Sequence, residues 1–131
     1  MIYTSCFTSP LIKGLDLRLI AVCMSVSKNI NCTRFLGLAP NTAMTALVLE
    51  GKTVEFEALY TSHILNNLDP IETYKALDGS ILLTWEKPYD FSHRRLIAEW
   101  LEKATGKPVL ELDDCERAAL STLAALRRRL A

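Results

Sequence analysis

Between Gly79 and Gly106 the chain spells out a strand, a loop and a helix, and this unit limits the folds open to it. Ile81-Leu82-Leu83 reads as the heart of a buried strand, taken over Ser80 to Glu86. A short polar loop follows, and a helix then runs from about Ser92 to Thr105. Leu96, Ile97, Trp100, Leu101 and Ala104 form its apolar stripe, with Glu99 and Lys103 paired four apart outside. Gly106 is placed to take the left-handed conformation that ends a helix, and Pro108 blocks continuation. Val109 to Leu112 reads as a second strand, so the unit is strand, helix, strand, the building block of a parallel sheet.

The rest of the chain repeats the alternation. Ile2 to Ser5 is short, β-branched and aromatic, and predicts a first strand. Leu17 to Val26 holds the unbroken apolar run Leu19 to Met24, as expected of a strand covered on both faces. Ser25 to Arg34 is polar and reads as a loop after that strand's carboxyl end, where open α/β sheets bind ligands. Pro40 to Glu50 predicts a short helix stopped by Gly51. Val54 to Leu68 predicts another, through Phe56, Leu59, Tyr60, Ile64 and Leu68, with Asn66-Asn67 ending it. His63 falls with that stripe and reads as a core or rim histidine. Asp69-Pro70 opens a brief helix as N-cap and first helical residue. Asp113 or Asp114 caps a last helix carrying Ala119, Leu123, Leu126 and Leu130. The expectation is one α/β domain over residues 1–131, a layered sandwich with a small, mainly parallel sheet flanked by helices.

Composition fits a globular protein, with half of the residues apolar and 23% charged. Fifteen Lys and Arg balance fifteen Asp and Glu, so no global field draws in nucleic acid; a local basic patch, such as Arg127-Arg128-Arg129, leaves that contact open. The cysteines at positions 6, 23, 32 and 115 show neither zinc-ligand spacing nor a secreted context, and predict neither a metal site nor disulfides. No basic and apolar leader opens the chain, and no apolar run approaches the ~20 residues of a membrane span. The reading is a soluble, cytoplasmic protein without membrane contact.

The chemically capable residues gather where the central strand meets its helix. Glu86, Lys87, Ser92, His93 and Arg94 lie within nine positions of sequence. A helix N-terminus presents unpaired N–H groups and a partial positive charge, which suits an anion. Glu86 and His93 are the candidate catalytic pair, as base or orienter and as proton carrier. Arg94, Ser92 and Lys87 are the candidate anion-binding residues. The helix N-terminus and the neighbouring cations should hold His93 neutral, with Glu86 pulling the other way. Tyr3, Ser5, Ser25 and Lys28 fall near strand ends and are candidates to line the same crevice.

Thr84-Trp85-Glu86 followed by Ser92-His93-Arg94 resembles the domain-of-unknown-function family numbered 488. Its members end an apolar strand in Cys-x-Glu and open the next helix with Cys-His-Arg. The start Ile2-Tyr3-Thr4-Ser5 is also similar, and the likeness extends loosely to Leu112. It implies site roles for Glu86, His93 and Arg94 and hints at nucleotide or nucleic-acid processing. Thr84 and Ser92 stand where that family carries cysteines, so a thiol or metal role at those positions is not carried over. The expected function is an enzyme acting on a phosphorylated or nucleotide-like anionic small molecule, its cofactor unknown. The alternatives are a non-catalytic binding or regulatory module, or a homo-oligomer-forming protein that uses the apolar face of Val54 to Leu68.

Overall fold

Among the described residues five short strands carry the fold: β1 (Ile2–Cys6), β2 (Arg18–Ala21), β3 (Thr33–Arg34), β4 (Ser80–Thr84) and β5 (Val109–Glu111). The computed structural model describes residues 1–115 together with Leu126 and Arg129. All strands are parallel, in the order β3-β2-β4-β1-β5. The expected α/β sandwich is therefore present, with a sheet that is wholly rather than mainly parallel. β4 lies at its centre, with Leu82 in register with both Thr4 of β1 and Ile20 of β2.

Side chains alternate across the sheet. Ile2, Ile20, Leu82 and Val109 face a layer of helices, which among the described residues are α1 (Thr42–Leu49), α2 (Thr53–His63), α3 (Pro70–Leu77) and α4 (His93–Thr105). Tyr3, Ala21, Ile81 and Leu83 face the other way, where Phe7, Ile12, Leu15 and Leu112 cover them from turns and loops. With both faces covered, the apolar runs at 19–24 and 81–83 need no polar alternation.

Local signals set the helix ends. Asn41 Oδ1 accepts from the Met44 amide at 2.9 Å and starts α1. Asp69 Oδ1 accepts from the Ile71 and Glu72 amides at 2.8 and 3.1 Å and starts α3 at Pro70. Gly106 closes α4 at φ 71°, a conformation that costs other residues strain.

Several expectations shift. The segment read as a loop over Ser25 to Arg34 ends in the two-residue strand β3. The helix read over Val54 to Leu68 stops at His63, where Asn67 Nδ2 donates to the His63 carbonyl at 2.8 Å, and a 3-10 turn finishes it. His63 is exposed rather than core, with Nδ1 near Ser62 Oγ and the Leu59 carbonyl. The buried stripe of α2 runs through Phe56 and Tyr60; His63 lies on the same side, about 20° from Phe56 at ~100° per residue, but it is the last residue of the helix, where the chain turns off into the 3-10 turn. On α4 the buried line is His93, Arg94, Ile97, Ala98 and Leu101, and Ala104 is exposed. Asp113 accepts the hydroxyls of Ser5 and Ser9 at 2.9 and 2.7 Å, from a 3-10 turn after β5. The last helix and the triple arginine lie outside the described residues except for Leu126 and Arg129.

Because Leu82 is wholly buried between two strands and the helical layer, Leu82→Ala is expected to cost about 2–5 kcal/mol of stability through lost transfer energy and a cavity. Guanidinium unfolding measures it.

Candidate functional site

The chain leaves β2 and β4 in opposite directions. After Ala21 it passes outward to β3, with Val26, Ile30 and Cys32 packed on the face away from the helices. After Thr84 it passes through α4, on the helical face, to β5 on the far side of β1. Two neighbouring strands whose connections part in this way leave a crevice at their carboxyl ends.

A cavity of about 330 Å³ fills that crevice, a size typical of small-molecule sites. Its floor comes from the ends of the two strands: Cys23, Met24 and Ser25 after β2, Trp85 and Glu86 after β4. One wall is the start of α4, with Phe91, Ser92 and His93. The opposite wall is α1, where Thr42, Thr45, Ala46 and Leu49 share one face at helical spacing. Phe56 of α2 completes the lining. Leu49 is 84% exposed, so the cavity opens to solvent along α1.

The polar wall is organised by hydrogen bonds whose directions follow from the donors available. Arg94 Nη1 donates to Thr84 Oγ1 at 2.7 Å, and Ser92 Oγ donates to Glu86 Oε1 at 2.7 Å. Ser92 has one hydroxyl hydrogen, so in the 2.9 Å contact between Thr84 and Ser92 the donor is Thr84. The Arg94 amide also donates to Ser92 Oγ, at 3.3 Å. The result is a one-way chain, Arg94 to Thr84 to Ser92 to Glu86, and linked bonds of this kind polarise one another. It fixes Oε1 and leaves Glu86 Oε2 without a hydrogen bond among the described residues.

His93 is equally constrained. Its Nε2 lies 2.7 Å from the Val22 carbonyl, and a carbonyl only accepts, so Nε2 carries the hydrogen. In the neutral ring Nδ1 then holds the lone pair. No fully buried polar side-chain atom among the described residues lacks a partner, so Nδ1, which makes no hydrogen bond to any described residue, borders accessible space, and His93 lines the cavity. Burial pushes its pKa below the ordinary 6.5, helped by Arg94 and opposed by the Val22 carbonyl and Glu86. Cys23 is no nucleophile here: burial first, then Glu86, raises its thiol to about 12, and Sγ donates to the Ser25 carbonyl at 3.0 Å.

The sequence-predicted residues therefore divide. Glu86, Ser92, His93 and Ser25 come together on the cavity. Arg94 does not reach it: the guanidinium is 1% exposed, with Nε 3.1 and 3.2 Å from the Glu111 carboxylate and Nη1 on Thr84 and on the Glu86 carbonyl at 2.8 Å. Lys87 and Lys28 are exposed and outside the lining. Tyr3 is buried on the face away from the helices, and Ser5 donates to Asp113. Strand alternation explains both: odd positions of β1 point away from α4. Thr4 points toward α4 and links Arg95 Nη1, at 2.9 Å, to Glu111, at 3.2 Å.

Sequence reasoning missed the α1 wall, Phe56, Phe91 and Cys23. A signal existed: Thr42–Leu49 is apolar almost all round, more than one packed face uses on a surface helix. Among the described residues no three His, Cys, Asp or Glu side chains could hold a metal ion, and no helix is long and apolar enough to cross a membrane. Comparison with protein-family models, curated proteins and solved structures gives no match.

Arg94→Met leaves the Glu111 carboxylate buried without its main partner, and is expected to cost about 3–5 kcal/mol, part of it regained by adding Glu111→Leu; denaturant unfolding of both variants checks this. For His93 the unfolded imidazole takes its proton near 6.5 and the folded one only at lower pH. Stability is therefore full above ~6.5 and falls as the pH drops between the two values. His93→Gln is expected to show a smaller loss between about pH 7.5 and 5.5 than wild type, read from unfolding midpoints.

Proposed function

We propose that the cavity at the carboxyl ends of β2 and β4 binds a small, largely apolar molecule whose polar end meets Glu86 and His93. The observation that carries this is the partition of the lining. Aromatic and aliphatic side chains such as Phe56, Phe91, Trp85 and Leu49 form most of it, and the ionisable groups Glu86, His93 and Cys23 sit by the strand ends. Ligand sites of this size combine an apolar body with a few convergent polar groups.

The anionic ligand expected from the sequence draws less support. An anion at the start of α4 needs free N–H groups and a cation. Ser92 already caps the Arg94 amide, Glu86 lies against Ser92, and Arg94 is spent on Glu111. The chain places its own carboxylate beside that helix end. The likeness to family 488 favours a site here, because its motif residues Glu86 and His93 both line the cavity. Turnover of the bound molecule would use His93 Nδ1 as proton acceptor, the one titratable lone pair on the wall with a fixed tautomer.

The test is to plug the space. Ala46 is exposed on the α1 wall, so Ala46→Trp fills the cavity without disturbing the core. A fragment library of mixed charge, followed by ligand-observed magnetic resonance, is expected to give hits that saturate on wild type and vanish on Ala46→Trp. Hits that persist on the plugged protein, or no saturable hit at all, would refute the proposal.

A further inference from the structure

Most side-chain donors beside Glu86 and His93 are already engaged. The Ser92 hydroxyl donates to Glu86, the Cys23 thiol to the Ser25 carbonyl, and Trp85 Nε1 to Ser25 at 3.1 and 3.0 Å. Ser92 can accept nothing further, because its two lone pairs take the Thr84 hydroxyl and the Arg94 amide. Besides the Ser25 hydroxyl hydrogen, the wall still offers two acceptors among the described residues: Glu86 Oε2, and Nδ1 of His93, left with its lone pair because Nε2–H is held by the Val22 carbonyl. Among the described residues that line the cavity, Glu86 carries the only formal charge and no Lys or Arg is present. Arg34, a nearby cation, stands outside the lining with Nη1 on the Met24 carbonyl at 3.3 Å.

We infer that the cavity selects an organic cation, a primary ammonium group on an apolar or aromatic body. The inference rests on the cavity being a ligand site at all, as proposed above. An ammonium has three N–H donors and no acceptor, which matches a wall of unpaired acceptors. A carboxylate or phosphate brings only acceptors, would find no cation in the lining and would stand against the Glu86 carboxylate, a costly arrangement in a partly dry site. Trp85, Phe56 and Phe91 are in the same lining, and aromatic side chains favour a cation over an anion. The apolar stretch along α1, through Ala46 and Leu49, takes the body of the ligand.

Three probes that share a skeleton separate the outcomes: 2-phenylethylamine, 2-phenylethanol and 3-phenylpropionate, titrated calorimetrically against wild type at neutral pH. The amine is expected to bind about tenfold or more tightly than the alcohol, the increment of one charge-assisted hydrogen bond, and the carboxylate more weakly than either. Glu86→Gln, checked for folding by circular dichroism, is expected to erase the preference for the amine over the alcohol. If the alcohol or the carboxylate binds wild type as tightly as the amine, the charge inference is overturned and the cavity proposal stands. If none of the three binds saturably, both fall. The wild-type comparison decides the matter even if Glu86→Gln does not fold.

Discussion

A guanidinium cannot be taken out of water without a partner, and the burial of Arg94 dictates much of what surrounds it. A charged group moved into a protein interior loses several kcal/mol of hydration, which only close opposite charge and hydrogen bonds offset. Arg94 is among the largest fully buried side chains. Its partners come from three directions: Glu111 on β5, Thr84 on β4 and the carbonyl of Glu86 in the following loop. Glu111 in turn takes Thr4 of β1 and stands 4.0 Å from Arg95. One buried pair thus ties the first turn of α4 to three adjacent strands, β4, β1 and β5.

That anchoring decides the shape of the site. With Arg94 drawn beneath the helix, Ser92 lands on Thr84 and turns its hydroxyl to Glu86, while His93, the next residue, reaches across to the Val22 carbonyl after β2. The imidazole therefore bridges the gap between the carboxyl ends of β2 and β4. Tyr60 and Phe56 lie with their ring centroids 5.5 and 6.4 Å from it and keep it dry, the physical origin of its lowered pKa. The same arrangement that stabilises α4 sets the carboxylate and the imidazole lone pair on one wall.

Much of the fold was legible because its causes are local. Asp69-Pro70, Ser92 and Gly106 mark helix ends through their own hydrogen bonds and backbone freedom, and all three do so in the structure. The runs at Leu19 and Ile81 are apolar because both faces of the sheet are covered. That Glu86 and His93 meet on one crevice was legible because they follow a buried strand, the position from which an α/β sheet presents side chains. What misled was charge. Arg94 and Lys87 look alike as cations next to a helix N-terminus, and nothing nearby in sequence reveals that Glu111, seventeen positions on, claims one of them.

The sequence by itself determined the alternation of strands and helices, their caps, and the pairing of Glu86 with His93 at one turn, since each depends on neighbours within a few positions. Only the tertiary structure decided which strands adjoin, that α1 forms the opposite wall, and that the acceptors rather than the cations face the cavity. Those outcomes depend on contacts such as Val22 to His93 and Glu111 to Arg94, made across the sheet by residues far apart in the chain. A side chain's polarity is written in the chain, but whether its hydrogen bonds are spent or free is settled only when the layers close around it.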